Sequence, residues 1–166
     1  VETKDLKKLV VYYSFEGNTR FIGKAIAQEI GADILDLKPK KELNSHGFMK
    51  YVKGGCQVLF KRAPELYPFT LNLEDYELIF IGTPVWAWNY APPLRTFFSR
   101  VELKGKKIAL FCCNGGDKGK TFLELKKRLT GNELLGEIEF LEPLKKNSEQ
   151  SQSLARQWAK KIASKF

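Results

Sequence analysis

The sequence lacks the features that mark membrane-spanning, secreted and zinc-binding proteins. Its longest strongly apolar runs, such as Leu78–Gly82 and Ile108–Cys113, end after five or six residues, whereas a membrane-spanning helix needs about 20. The start of the chain does not have the pattern of a signal peptide. The three cysteines form neither a CxxC motif nor a cluster with histidine, which argues against a structural zinc site and for a reducing compartment. We therefore expect a cytoplasmic protein without membrane insertion.

Histidine is almost absent, and this limits nucleophilic catalysis. His46 is the only histidine, so any Ser-His or Cys-His relay would have to pass through this residue of a polar loop. Cys56, Cys112 and Cys113 lie in apolar segments, where we expect small buried side chains rather than nucleophiles. The sequence thus offers no candidate catalytic residue.

The composition is that of a single globular domain spanning residues 1–166. Hydrophobic residues make up 43% of the 166 residues and charged residues 28%, which excludes disordered and low-complexity classes. The formal net charge is +9, and such a field favours acidic partners or anionic ligands at encounter. The basic residues form short scattered clusters such as Lys145-Lys146, without a nucleic-acid-binding motif. We read them as a solvated basic surface.

Short apolar segments alternate with amphipathic ones along the chain. Segments typical of buried strands are Leu9–Tyr13, Ala32–Leu37, Tyr76–Gly82, Lys106–Cys113 and Leu134–Leu141. Helical spacing of apolar residues is found from Phe21 to Ile30, from Pro93 to Val101, from Phe122 to Leu129 and from Leu154 to Ile162. Gly47–Arg62 reads as an irregular helical crossover. This alternation predicts an α/β fold, a doubly wound five-stranded parallel sheet with helices on both faces, three layers in all.

Ligands of such sheets bind beyond the carboxyl ends of the strands, and the first candidate loop follows Leu9–Tyr13. Its residues are Ser14, Phe15, Glu16, Gly17, Asn18 and Thr19, at the start of a predicted helix. Unpaired backbone N–H groups at a helix N-terminus suit a phosphate, although a helix cap by Asn18 or Thr19 would also explain two of these residues. The loop has neither the Walker A ending nor the three spaced glycines of dinucleotide sites.

Two further loops leave the same predicted edge of the sheet. The one after Tyr76–Gly82 carries Trp86, Trp88 and Tyr90; such aromatic side chains either cover a flat ligand or pack against the crossover segment. The one after Lys106–Cys113 is rich in glycine, which permits close approach of a ligand or simply a tight turn. A phosphate loop, an aromatic wall and a glycine-rich loop together fit a flat ring with one phosphate, and flavin mononucleotide (FMN) is the natural candidate.

The same residues resemble the flavodoxin-like family over nearly the whole chain. Val10–Thr19 is similar to the family's first strand and phosphate loop, while Ile81–Trp88 and Ala91–Phe97 are similar to a bacterial and archaeal subgroup. The resemblance implies strand order 2-1-3-4-5 and FMN bound by all three loops. The implied cofactor-binding residues are Ser14, Phe15, Glu16, Gly17, Asn18 and Thr19 in the first loop, Thr83, Pro84, Val85, Trp86, Ala87 and Trp88 in the second, and Cys113, Asn114, Gly115, Gly116 and Gly119 in the third.

The resemblance also implies roles within this site. Backbone amides of Phe15–Thr19 and the hydroxyls of Ser14 and Thr19 would hold the phosphate, Trp86 and its neighbours would lie against the flavin ring, and Cys113–Gly116 would reach its pyrimidine edge. The sequence departs from the family in being strongly basic and in having Ala87-Trp88-Asn89 where many members have a glycine. A positive field should make the second-electron reduction potential less negative than in acidic relatives.

Three functions agree with these patterns. The first is an FMN-binding redox protein that carries electrons between protein partners, acidic ones in view of the charge, and not nucleic acid. The second is an FMN-dependent reductase that takes hydride from NAD(P)H and reduces a quinone-like substrate. The third is a flavin-free module that binds a polyanion through its basic surface, a function for which the tryptophan-rich loop would have little use.

Overall fold

Strands and helices alternate throughout the part of the chain that the computed structural model describes, residues 6–41 and 63–166. In chain order the elements are β1 (Lys7–Tyr12), α1 (Asn18–Ile30), β2 (Asp33–Asp36), β3 (Tyr76–Trp86), β4 (Asn89–Tyr90), α2 (Pro92–Arg100), β5 (Lys107–Asn114), α3 (Thr121–Arg128), β6 (Glu133–Leu141) and α4 (Ser148–Ala163). A 3-10 helix, Leu73–Asp75, precedes β3. The crossover predicted at Gly47–Arg62, with Cys56, and the loop residue His46 lie outside the described residues. Among the described helices none is long and apolar enough to cross a membrane.

Five of the strands form a parallel sheet in the order β2-β1-β3-β5-β6, and the short β4 pairs antiparallel with the end of β3. Counting the parallel strands alone, this is the predicted order 2-1-3-4-5. The chain leaves β1 for β2 on one side and later returns to β3 on the other side of β1. The strand order therefore reverses between β1 and β3, and the crevice at their carboxyl ends is where ligands of open α/β sheets bind.

Apolar side chains cover both faces of the sheet, which explains why the strand sequences show little alternation of polar and apolar residues. Leu9 and Val11 of β1 belong to one hydrophobic cluster, with residues of α2 and α3. Val10 and Tyr12 point to the opposite cluster, with residues of α1 and α4. Successive side chains of a strand alternate between faces, so β1 contributes to both cores. The prediction of three layers is confirmed.

Strand β3 is longer than predicted. The sequence predicts a strand ending at Gly82 and a loop from Thr83, because proline and crowded tryptophans follow. In the structure the strand continues to Trp86, since Thr83 and Pro84 pair with β5 and the next two residues pair with β4. The proline lies near the strand end, where loss of its N–H costs little. The predicted tryptophan loop is thus the tip of a β-hairpin.

Candidate cofactor site

A cavity of about 310 Å³ lies at the carboxyl ends of β1, β3, β5 and β6. Its lining residues are Ser14, Phe15, Glu16, Asn18, Thr19, Pro84, Val85, Trp86, Cys113, Asn114, Gly115, Glu142 and Lys145. Of these, only Glu142 and Lys145 are absent from the predicted site. Residues of all three predicted loops therefore meet in one cavity, whereas the predicted site residues Gly17, Thr83, Ala87, Trp88, Gly116 and Gly119 do not line it.

The first turn of α1 forms one wall of this cavity. Its N-cap residue is Gly17, which has φ 95° and provides no side-chain cap. Glycine adopts this left-handed conformation without strain. Of the first three N–H groups of the helix, only that of Arg20 has a side-chain acceptor among the described residues, Ser14 Oγ. The alternative of a cap by Asn18 or Thr19 is wrong, because the Asn18 side chain accepts a hydrogen bond from the backbone of Leu144 instead.

Two hydroxyl groups stand at this wall. Ser14 Oγ accepts a hydrogen bond from the backbone N–H of Arg20 at 3.1 Å, which leaves the hydroxyl hydrogen available to donate. Thr19 is 1% exposed, and its Oγ1 makes no hydrogen bond to nitrogen or oxygen among the described residues. It interacts with the Cys113 thiol, which is only a weak hydrogen-bonding group. A buried hydroxyl in this state is costly, and a phosphate oxygen would satisfy it. The wall therefore fits the predicted phosphate.

The opposite wall is a loop that the sequence analysis did not assign to the site. Glu142 follows β6 with φ 38°; its N–H donates to the Asn114 carbonyl, and its carbonyl accepts from the N–H groups of Lys145 and Lys146, each at 2.9 Å. The Glu142 carboxylate lies 3.3 Å from both ammonium groups, and hydrogen bonding to Lys145 is the main cause that lowers its pKa. The sequence does contain a signal for this loop, because the loop directly follows the predicted strand Leu134–Leu141 and so lies at the same edge of the sheet.

The two tryptophans of the hairpin have different surroundings. Trp86 is 5% exposed and meets the rings of Tyr13 and Phe15 edge-on, with centroids 5.6 and 5.5 Å away. Trp88 is 67% exposed and lies at the tip. The indole of Trp86 is therefore part of the cavity wall, held by neighbouring aromatic rings, whereas that of Trp88 faces outward.

The tip of the hairpin is a strained two-residue turn. Ala87 and Trp88 have φ values of 47° and 61°, a combination that usually requires glycine or asparagine. The N–H of Lys120 donates to the Trp88 carbonyl at 2.8 Å. A Cβ on Gly119 would lie 2.3 Å from the Trp88 Cβ. Gly119, predicted as a cofactor residue, thus packs against the tip instead of lining the cavity.

Side-chain hydrogen bonds fix the remaining predicted residues. Thr83 Oγ1 accepts from the N–H of Ala91 at 3.0 Å and donates to the Pro84 carbonyl at 2.8 Å. Asn114 accepts from the N–H of Gly116 at 3.1 Å and donates to Glu139 at 2.9 Å. These two side chains therefore hold the backbone at the strand ends.

The adjacent cysteines are buried and free, as expected for structural residues. Burial raises the pKa of Cys113 to about 12 and that of Cys112 far above its usual range. A thiol must ionise to act as a nucleophile, so neither is activated.

A neighbouring cavity of about 430 Å³ shares Ser14 and Phe15 with the site and extends toward the end of β2. It contains Arg20 and Lys40, but Arg20 pairs with Asp36 at 3.0 Å and Lys40 with Glu65 at 2.5 Å. Two of its three cationic side chains are therefore already paired, Lys38 being the third, and its lining does not include Asn18 and Thr19 at the start of α1. The phosphate is therefore better accommodated in the cavity beside α1.

Comparison with known proteins identifies relatives of this architecture. A flavoprotein from Lactobacillus acidophilus NCFM, crystallised in complex with FMN, is 23% identical, with a TM-score of 0.65 over 81% of this chain and 93% of that one. A protein from Bacteroides eggerthii, provisionally assigned as a flavoprotein, is 23% identical, with a TM-score of 0.75 over 95% and 98%. Flavodoxin 2 from Bacillus cereus is 20% identical, with a TM-score of 0.61 over 96% and 99%. At these identities the structures show a shared fold.

The family assignment rests on the sequence itself. The model of the flavodoxin family matches residues 7–162, almost the full chain. The match begins with β1, ends within the last turn of α4 and includes all the residues that line the cavity. The chain belongs to the flavodoxin family.

Proposed function

We propose that this protein binds FMN in the cavity beside α1 and carries electrons through it between protein partners. The observation that carries the proposal is the buried hydroxyl of Thr19, which has at most the weak Cys113 thiol as a partner, at a helix N-terminus whose first two N–H groups have no described side-chain acceptor. A phosphate there would gain that hydrogen bond together with the N–H groups and the partial positive charge of the helix end. Membership of the flavodoxin family and the FMN complex of the Lactobacillus acidophilus flavoprotein support FMN as the cofactor.

Each wall of the cavity has a task in this proposal. The amides of Phe15–Thr19 and the hydroxyls of Ser14 and Thr19 bind the phosphate. Trp86 limits the position of the ring, and Cys113, Asn114 and Gly115, which line the cavity, supply backbone groups to its pyrimidine edge. The bound flavin supplies the redox chemistry, accepting and releasing electrons, and the protein sets its position, its exposure to water and its electrostatic surroundings.

The surface charge supports an acidic redox partner. The net charge of +9 accelerates encounter with acidic proteins, and the exposed Trp88 lies at the tip of the hairpin that forms one wall of the site. The same field supports a less negative second-electron potential than in acidic flavodoxins, which potentiometry would measure. We expect no nucleic-acid partner. The free, adjacent and buried Cys112 and Cys113 support a reducing compartment such as the cytoplasm.

Binding is tested by titrating flavin-free protein with FMN and with riboflavin. Ser14→Asp adds a carboxylate at the phosphate wall and should raise the Kd for FMN by at least about 10-fold through charge repulsion, with much less effect on riboflavin. Ser14→Asn is the matched neutral control. Equal FMN affinity of the two variants would contradict the phosphate position.

Function is tested by anaerobic reduction of the FMN-loaded protein. An electron carrier is reduced by a redox protein and reacts slowly with NAD(P)H. Rapid direct bleaching by NAD(P)H would instead favour the reductase. A colourless protein that takes up no FMN and binds polyanions with a steep salt dependence would favour the flavin-free module.

A further inference from the structure

The loop after β6 is fastened to the phosphate wall of the cavity. The backbone N–H of Leu144 donates to Asn18 Oδ1 at 3.0 Å, and Leu144 Cδ1 lies 3.3 Å from the position of a Cβ on Gly17. Glu142 and Lys145 of the same loop line the cavity. The loop after β6 therefore forms the cavity wall next to the first turn of α1.

The backbone of this loop is held in an unusual shape. Glu142 and Asn147 both have positive φ values, 38° and 51°; asparagine tolerates this conformation, whereas it is unfavourable for glutamate. Three backbone hydrogen bonds fix Glu142, one to Asn114 and two from Lys145 and Lys146. The backbone of the loop therefore brings Lys145, but not Lys146, to the cavity.

The charges around the cavity are unevenly distributed. Lys145 is the only cationic side chain among the described residues that line it, while Glu16 and Glu142 are both acidic. A phosphate ester carries about −1.5 to −2 charges at pH 7, so two carboxylates without Lys145 would oppose its binding. The side chains at the phosphate wall itself, those of Ser14, Asn18 and Thr19, are neutral.

The ion pair between Lys145 and Glu142 can be exchanged at little cost. The Lys145 side chain is 67% exposed and 3.3 Å from Glu142 Oε1, and exposed pairs of this kind contribute little. Lys146 lies 3.3 Å from the other oxygen, Oε2, and does not line the cavity. When Lys145 turns to another anion, Lys146 still neutralises Glu142.

We propose that Lys145 is the counter-charge of the cofactor phosphate: it leaves Glu142 for the phosphate, with Lys146 retaining the carboxylate, and so makes the site select FMN over riboflavin. This inference rests on the proposed function, since it assigns a residue to the same site. In the complex, Lys145 pairs with the phosphate and Lys146 pairs with the Glu142 carboxylate.

The experiment compares Lys145→Gln with Lys127→Gln, a matched control that removes the same charge from a similarly exposed pair with a glutamate three residues earlier, away from the cavity. The Kd values for FMN and riboflavin are measured from the loss of flavin fluorescence on binding. Lys145→Gln should raise the Kd for FMN by about 10- to 100-fold, the usual effect of losing a charged hydrogen bond, and leave that for riboflavin within about 3-fold. Lys127→Gln should change both by less than about 3-fold, and Lys145→Arg should retain the wild-type preference. Lys146→Gln should weaken FMN binding less than Lys145→Gln does, because it leaves the Glu142 carboxylate without its second lysine.

Three results would overturn the proposal. In the first, Lys145→Gln keeps the wild-type ratio of FMN to riboflavin affinity while FMN still binds, which leaves the proposed function intact. In the second, Lys145→Gln weakens both flavins equally, which shows that the residue only supports the loop. In the third, wild-type protein binds neither flavin, and the proposed function then fails as well.

Discussion

Replacing Thr19 by valine should change the stability of the flavin-free protein and its affinity for FMN in opposite directions. Valine has nearly the same shape as threonine and the same branching at Cβ, so packing and helix propensity change little. What is removed is the buried Oγ1, which has no hydrogen-bond partner among the described residues. The substitution therefore isolates one hydroxyl group.

The expected magnitudes follow from the state of that hydroxyl. A buried polar group without a partner costs about 1–3 kcal/mol, so Thr19→Val should raise the unfolding free energy of the flavin-free protein by about 1 kcal/mol. In the FMN complex the hydroxyl donates to a charged phosphate, a hydrogen bond of about 1.5–3 kcal/mol. Its loss should raise the Kd for FMN by about 10- to 100-fold.

Thr121 provides the matched control for this prediction. It too is buried, with an Oγ1 that lacks a described partner, but it begins α3 and does not line the cavity. Thr121→Val should stabilise the flavin-free protein similarly and leave FMN affinity unchanged. The assays are urea unfolding without flavin and FMN titration. Equal FMN affinities for the two variants, or a Thr19→Val protein that is less stable than the wild type, would show that the Thr19 hydroxyl is not an unsatisfied group that binds the phosphate.

Further predictions concern the hairpin tip and the buried ionisable groups. Gly119→Ala should cost about 1–2 kcal/mol for its left-handed backbone and a further 1–3 kcal/mol for the contact of the new Cβ with Trp88; Gly105→Ala, with φ 68° and open space around it, should show only the first cost in urea unfolding. Burial raises the pKa values of Cys113 and Tyr12 to about 12, so the unfolded chain loses these protons first as the pH rises. The free energy of unfolding that these two groups contribute should be complete below about pH 8.5 and should fall between about pH 9 and 12. Urea unfolding at several pH values measures this fall, and Cys113→Ala should make it shallower.

The main architecture could be predicted because its signals are local and strong. The apolar runs of β1, β3 and β5 and the helical spacing in α1 follow directly from burial on one or both sides. The first loop was also predictable, since Ser14–Thr19 combine small polar residues with a glycine at a helix start. The cavity brings residues of all three predicted loops together.

The parts that were missed depend on tertiary contacts. The sequence Ala87-Trp88 has no turn signal, and its left-handed backbone exists because Gly119 and the Lys120 N–H support it from another segment. The position of Lys145 depends on hydrogen bonds to Glu142 and on a contact 126 residues away, between Leu144 and Asn18. In the sequence alone that lysine is indistinguishable from the other basic residues of the surface.

The position of the phosphate is tested most directly by comparing amide NMR spectra of the protein saturated with FMN and with riboflavin. The two ligands differ only in the phosphate, so the difference between the spectra locates it. The largest differences should fall on the backbone N–H groups of Phe15–Thr19. Equal spectra in this segment, with differences concentrated in another part of the chain, would contradict this position of the phosphate.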